Sequence, residues 1–120
     1  MGDSTSIRRF LERGYACLFA VEAIRHAQAA KDWPHATRLF ADNELRLILD
    51  GRGATLEALL AAFPAEAAAD PELALAHANA RALDGLLDDA GAYIAAAEES
   101  AETVPDDRRW FFELRLAAIT

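Results

Sequence analysis

Leu49-Asp50-Gly51 and Leu83-Asp84-Gly85 lie 34 residues apart, and each closes an Ala- and Leu-rich stretch. Ala30-Lys31-Asp32-Trp33 closes an earlier stretch of the same kind. A period of about 34 residues is the spacing of stacked helix-turn-helix units, each burying its apolar face against its neighbours. The phrase therefore predicts an all-α chain of stacked antiparallel helical hairpins, a scaffold or recognition surface rather than a catalytic pocket. Composition agrees. Alanine supplies 29 of the 120 residues, and Ala and Leu lose little freedom in a helix. The β-branched residues are few and scattered, with no alternating run that reads as a strand.

The punctuation divides the chain. A first helix is expected after Ser4 or Thr5, carrying Ile7, Phe10 and Leu11 and ending near Gly14. A second runs from about Cys17 to Ala30, with Val21, Ile24 and Ala27 on one side. Asp32-Trp33-Pro34 opens a third, because Asp accepts free N–H groups and Pro is tolerated in a first turn. Its stripe is Ala36, Leu39, Phe40, Asn43 and Leu47, widened by Leu45, Ile48 and Leu49. Gly51-Arg52-Gly53 is a breaker.

A shorter helix from Thr55 to about Phe63 follows, then one turn from Pro64 to Ala69. Asp70-Pro71-Glu72 combines a cap, a first-position Pro and an acid at the positive end of the dipole. That helix runs to Leu83 with a stripe of Leu73, Ala76, Ala80 and Leu83; its partner presents Leu86, Ala90, Tyr93, Ile94, Ala97 and Ala101. After Val104-Pro105 the last helix is apolar almost all round from Trp110 to Ile119, a pattern of burial on two sides. Its Trp110, Phe111, Phe112, Leu116 and Ile119 are the candidate self-association surface, or the seat of a further hairpin. Residues 1–4 read as a disordered leader or cloning remnant, and 5–120 as one helical-repeat domain of a longer array. Gly2 with Thr5 and Ser6 makes only a degenerate match to a myristoylation site.

Charge narrows the partners. The formal net charge is −8 and the sequence holds one lysine, whereas a nucleic-acid surface needs clustered cations. Arg8-Arg9 and Arg108-Arg109 are short groups that read as solvated helix surface. The longest apolar run, Tyr15 to Val21, falls far short of the ~20 residues that span a bilayer. Neither nucleic acid nor membrane is expected as a partner. A polar amino terminus without a secretory pattern and a single Cys17 predict a reduced, cytoplasmic setting without disulfides.

Catalytic constellations do not assemble. His26, His35 and His77 lack the i, i+4 spacing of a zinc helix. Gly51-Arg52-Gly53 lacks the further glycine, the lysine and the preceding strand of a phosphate loop. Adjacent carboxylates such as Asp88-Asp89 and Asp106-Asp107 diverge on a helix. No enzyme, cofactor or metal is expected. Trp33, Arg52, Asn79, Arg81 and Tyr93 are the candidate ligand or partner residues, because repeat arrays place aromatic and polar groups on a concave face.

Longer stretches carry a family likeness. Glu22-Ala-Ile-Arg-His-Ala-Gln-Ala-Ala-Lys-Asp-Trp33 with Ala36-Thr-Arg-Leu39, Leu59-Leu-Ala-Ala-Phe-Pro64, Pro71-Glu-Leu-Ala-Leu75 and Ala78 through Ala90 resemble the region after the ATPase module of large LuxR-type regulators. These are the maltose-activator-like proteins of the signal-transducing ATPase class, and the resemblance covers about residues 5–118. It implies a tetratricopeptide-like right-handed superhelix that senses an inducer or a partner protein and couples to neighbouring modules. The family's Walker lysine loop and basic recognition helix are not in this sequence, so ATP and DNA binding do not carry over. The expected function is a non-enzymatic sensor and coupling domain in transcription regulation; the competing expectation is a free-standing protein–protein interaction adaptor.

Overall fold

The computed structural model describes residues 3–119, and for residues 3–6, 10, 13 and 14 the backbone alone. Every regular element among them is helical: α1 (Asp3–Ala29), α2 (Trp33–Leu49), α3 (Gly53–Ala61), α4 (Pro71–Leu83), α5 (Leu87–Glu99) and α6 (Asp106–Ile119). Short 3-10 turns at Ala65–Ala69 and Ala101–Thr103 lead into α4 and α6. The chain forms two compact units, Met1–Leu59 and Leu60–Thr120. Met1 and Gly2, and with them the start of the expected leader and the myristoylation glycine, lie outside the described residues.

The expected break near Gly14 does not occur. α1 is one helix of 27 residues, about 40 Å long at the usual rise. An interior Gly costs about 1 kcal/mol relative to Ala, too little to stop a helix whose neighbours are strong formers. Three helix ends instead place one residue in the left-handed region, with one hydrogen-bond scheme. After α2, Gly51 N–H donates to Ile48 C=O and Arg52 N–H to Leu47 C=O. After α4, Gly85 N–H donates to Ala82 C=O and Leu86 N–H to Arg81 C=O. After α1, Lys31 N–H donates to Gln28 C=O and Asp32 N–H to Ala27 C=O. This is the Schellman cap, with Gly51, Gly85 and Lys31 left-handed at φ of 73°, 77° and 59°. The repeated phrase is thus a repeated helix stop. Gly85 turns the chain within a packed pair, α4 and α5, whereas Gly51 leads from the α1–α2 pair into α3.

Nothing lies within 4 Å of where a Cβ at Gly85 would sit, so only backbone strain opposes a side chain there. Gly85→Ala is expected to lower stability by about 1 kcal/mol, read as a shift in the urea midpoint. An unchanged midpoint would show that the turn relaxes out of the left-handed region.

In the first unit α1 and α2 pack as a hairpin. Cys17, Val21, Ile24 and Ala27 of α1 and Ala36, Phe40, Ala41 and Leu47 of α2 are buried. Gln28, also buried, donates from Nε2 to the Leu59 carbonyl at 2.8 Å, satisfying one acceptor left open in the last turn of α3. Leu45 and Leu49, expected to widen the inner stripe of α2, are exposed instead. Thr37, Ala41 and Glu44 take the inward positions, so the buried face is rotated from the one hydropathy picks out.

In the second unit Asp70 caps α4, its Oδ1 accepting from Glu72 N–H at 2.9 Å. α4 is buried from Pro71 to Ala76 and at Ala78, nearly all round, because the 3-10 turn, α5 and α6 all pack on it. Its expected stripe holds at Leu73 and Ala76 and fails at Leu83, which is exposed. Ala74, Leu75, Ala97, Val104 and Phe112 form the core, with Ala101, Leu116 and Ile119 packed against it. One ion pair is built into this core. Arg108 donates to Glu72 from Nε at 2.8 Å and from Nη2 at 2.7 Å, with side-chain exposures of 13 % and 4 %. Arg109 Nη2 donates to the carbonyls of Glu102 and Val104 at 3.3 and 3.2 Å, fixing the entry to α6.

Candidate functional site

The candidate residues fall into separate places. In the first unit Trp33 opens α2 and Arg52 follows its end, which puts them about 25 Å apart along a helix of that length. They do not form one site. In the second unit Tyr93 of α5 stacks on His77 of α4, with ring centroids 4.9 Å apart and planes 15° from parallel. Arg81, one turn after His77, shares its face and acts on it electrostatically. Asn79 points about 160° away from that face by helical spacing. The structure therefore sets Tyr93 against His77, with Arg81 one turn along α4 from His77, and leaves Asn79 on another face. Sequence reasoning weighs His77 only as a zinc ligand; its i, i+4 relation to Arg81 is the signal that could have found it.

Burial, and after it the Arg81 charge, hold the His77 imidazole below its ordinary pKa. The unfolded chain then takes up a proton as pH falls through about 6.5 while the folded form resists it. Stability contributed by neutral His77 is present above that pH and is lost below it. Urea midpoints at pH 7.5 and 5.5 should differ more for the native protein than for His77→Phe, which keeps the stack without the titration. An equal fall in both would remove His77 as the cause.

An open groove of about 730 Å³ lies in the first unit, lined by residues that include Arg9, Glu12, Asp42, Arg46, Leu49 and Asp50. Beside it the buried Cys17 donates its thiol to Asp50 Oδ2 at 2.7 Å. Burial, then the hydrogen bond to Asp50 and its negative charge, raise the Cys17 pKa, against smaller opposing effects of Arg52 and Arg46. A reactive cysteine needs an exposed, electropositive setting that yields thiolate; Cys17 has the reverse and serves as a hydrogen-bond donor. Among the described residues no group of three or more His, Cys, Asp or Glu is placed to hold a metal ion. No described helix is long and apolar enough to cross a membrane.

The residues proposed for the surface of the last helix divide by face. Phe112 is 1 % exposed, and Leu116 and Ile119 pack on the core, so these three support the fold rather than a surface. Phe111 is half-buried beneath the guanidinium groups of Arg108 and Arg115, 5.9 and 5.5 Å from its ring centre. Trp110, 75 % exposed, stands outward with Leu114. Leu114 is absent from the sequence candidates, although its i, i+4 spacing from Trp110 places it on the same face. Comparison of the chain with protein-family models, curated proteins and solved structures finds no match.

Proposed function

We propose that this chain is a non-enzymatic helical-repeat module of a LuxR-type transcriptional regulator. In this reading it senses an inducer or partner protein and passes the signal to adjoining modules by helix packing. The observation that carries it is the two-sided α6. One side closes the core through Phe112, and the other presents Trp110 and Leu114 to solvent. In a tetratricopeptide-like stack such a face is the seat of the next helical hairpin, because each unit is stabilised mainly by its neighbours. The recurring Schellman turns and the hairpin pairs α1–α2 and α4–α5 fit the same scheme.

The coding frame at the locus tests the assignment. A nucleotide-binding module upstream and a basic helix-turn-helix downstream in one frame are expected. A frame with neither would overturn the regulator reading and leave the free-standing adaptor. A thermal-shift screen of small metabolites then addresses sensing, since a ligand at 100 times its Kd adds about 2.7 kcal/mol to the folded state. Nucleotide turnover by the chain itself would refute the non-enzymatic reading.

A further inference from the structure

α1 is apolar on two faces, and its partners cover only one. Cys17, Val21 and Ile24 point into the first unit and are buried, whereas Ile7, Leu11, Tyr15, Leu18 and Phe19 are exposed, Phe19 by 74 %. At 100° per residue, positions 7, 11, 15 and 18 fall on one stripe and 19 on its edge. Of the groove residues of α1, Arg9 lies on the opposite side of the helix from that stripe, and Glu12 sits beside Phe19 at its edge. Five large apolar side chains on three and a half turns are more than the scattered apolar exposure that surfaces carry by default.

The charges flanking the stripe are arranged symmetrically with opposite signs. Arg8 lies seven residues before Tyr15 and Glu22 seven residues after it, and both are exposed. Two copies of α1 laid antiparallel about Tyr15 set Arg8 of each against Glu22 of the other. The same register puts Leu11 opposite Phe19 and Tyr15 opposite itself. A parallel arrangement would oppose Arg8 to Arg8, Glu12 to Glu12 and Glu22 to Glu22, which repels. Glu22 already meets Arg25 at 3.7 Å across exposed surface, a contact too weak to withhold it from a second cation. The stripe offers on the order of 500 Å² per copy, hence about 1,000 Å² in all, the lower edge of what a specific interface buries.

We propose that the protein self-associates through the outer face of α1 as an antiparallel two-fold dimer whose axis passes Tyr15. This interface is separate from the Trp110 face of α6 and does not depend on the regulator reading. An interface of this area belongs with weak, transient associations, so the dimer forms reversibly with concentration.

Sedimentation of the full chain from about 1 μM to 1 mM, a range that covers weak reversible association, provides the test. Dimer mass is expected at the upper end, with Phe19→Glu and Arg8→Glu each weakening association at least tenfold. Both positions are exposed, so circular dichroism should show unchanged helicity. The double reversal Arg8→Glu/Glu22→Arg should restore association, because only antiparallel pairing re-forms opposite charges. Tyr15→Cys in a Cys17→Ser background should crosslink to itself through a short bis-maleimide. A monomer throughout overturns the proposal and leaves the stripe to a different partner. A dimer insensitive to Phe19→Glu but lost in Trp110→Asp overturns it in favour of α6. Failure of the double reversal to rescue, or of the Tyr15→Cys variant to crosslink in a proven dimer, overturns the register.

Discussion

Arg108→Ala is expected to cost the second unit about 3–5 kcal/mol, because it strands a buried carboxylate. Glu72 sits in the first turn of α4 with its side chain 4 % exposed, and both of its oxygens accept from Arg108. Once the guanidinium is removed, Glu72 keeps no cation of its own, and its carboxylate faces the space that Arg108 filled. The positive end of the α4 dipole offsets only about 0.3–1 kcal/mol of the loss, and the Asp70 cap beside it carries the same sign as Glu72. The stacking of Arg108 over Phe111 is lost as well, worth about 0.5–1 kcal/mol at such a site. Replacing both partners by Met should come much closer to native stability, because no charge then has to be desolvated. Urea unfolding followed by circular dichroism measures the totals, and amide exchange in α4 localises them. A loss below about 1 kcal/mol in Arg108→Ala would mean that water or another cation reaches Glu72.

Phe112→Ala carries the second large effect, about 3–5 kcal/mol for an aromatic ring removed from a packed core. Phe112 meets Leu75 of α4, Ala97 of α5 and Val104 before α6 in one cluster. Ala74 of α4 and Ala97 of α5 line it with short side chains, which leaves little beside Leu75 to fill the space. Two positions earlier, Trp110→Ala removes a larger side chain and should change stability by less than about 0.5 kcal/mol, because its ring is in water. Net stabilities are only about 5–15 kcal/mol, so the first substitution should nearly unfold its unit while the second leaves it intact. Equal effects at the two positions would mean that α6 is rotated from the orientation described above.

That contrast marks the limit of reading hydropathy alone. Trp110, Phe111, Phe112, Leu114 and Leu116 look alike in sequence, and only packing divides them into buried, half-buried and exposed. Leu45 and Leu49 of α2, and Leu83 of α4, make the same point: each fits a helical stripe and each faces solvent. Glu44 and Glu72 show the converse, carboxylates placed inward where composition predicts surface. The ion pair of Glu72 spans 36 residues, and nothing local to either residue announces the other. The Tyr93–His77 stack is equally hidden, joining two helices across a turn. Its two residues are legible one at a time, as an aromatic candidate and a lone histidine, and become a pair only when α4 and α5 pack.

The helix ends are the legible part. Asp70-Pro71 and Asp32-Trp33-Pro34 start helices, and the three Schellman turns stop them, because caps are settled by hydrogen bonds within about six residues. Gly14 is the instructive failure. Its flexibility suggests a stop, but the chain carries no left-handed turn there and α1 continues to Ala29. By itself, then, the sequence determined an all-helical chain and where most of its helices begin and end, since those are local backbone energies. Which faces were buried, which charges were paired and which apolar stripe of α1 was left open were decided by the tertiary structure. Burial is a property of neighbours brought together from distant parts of the chain, and periodicity records only that a face exists.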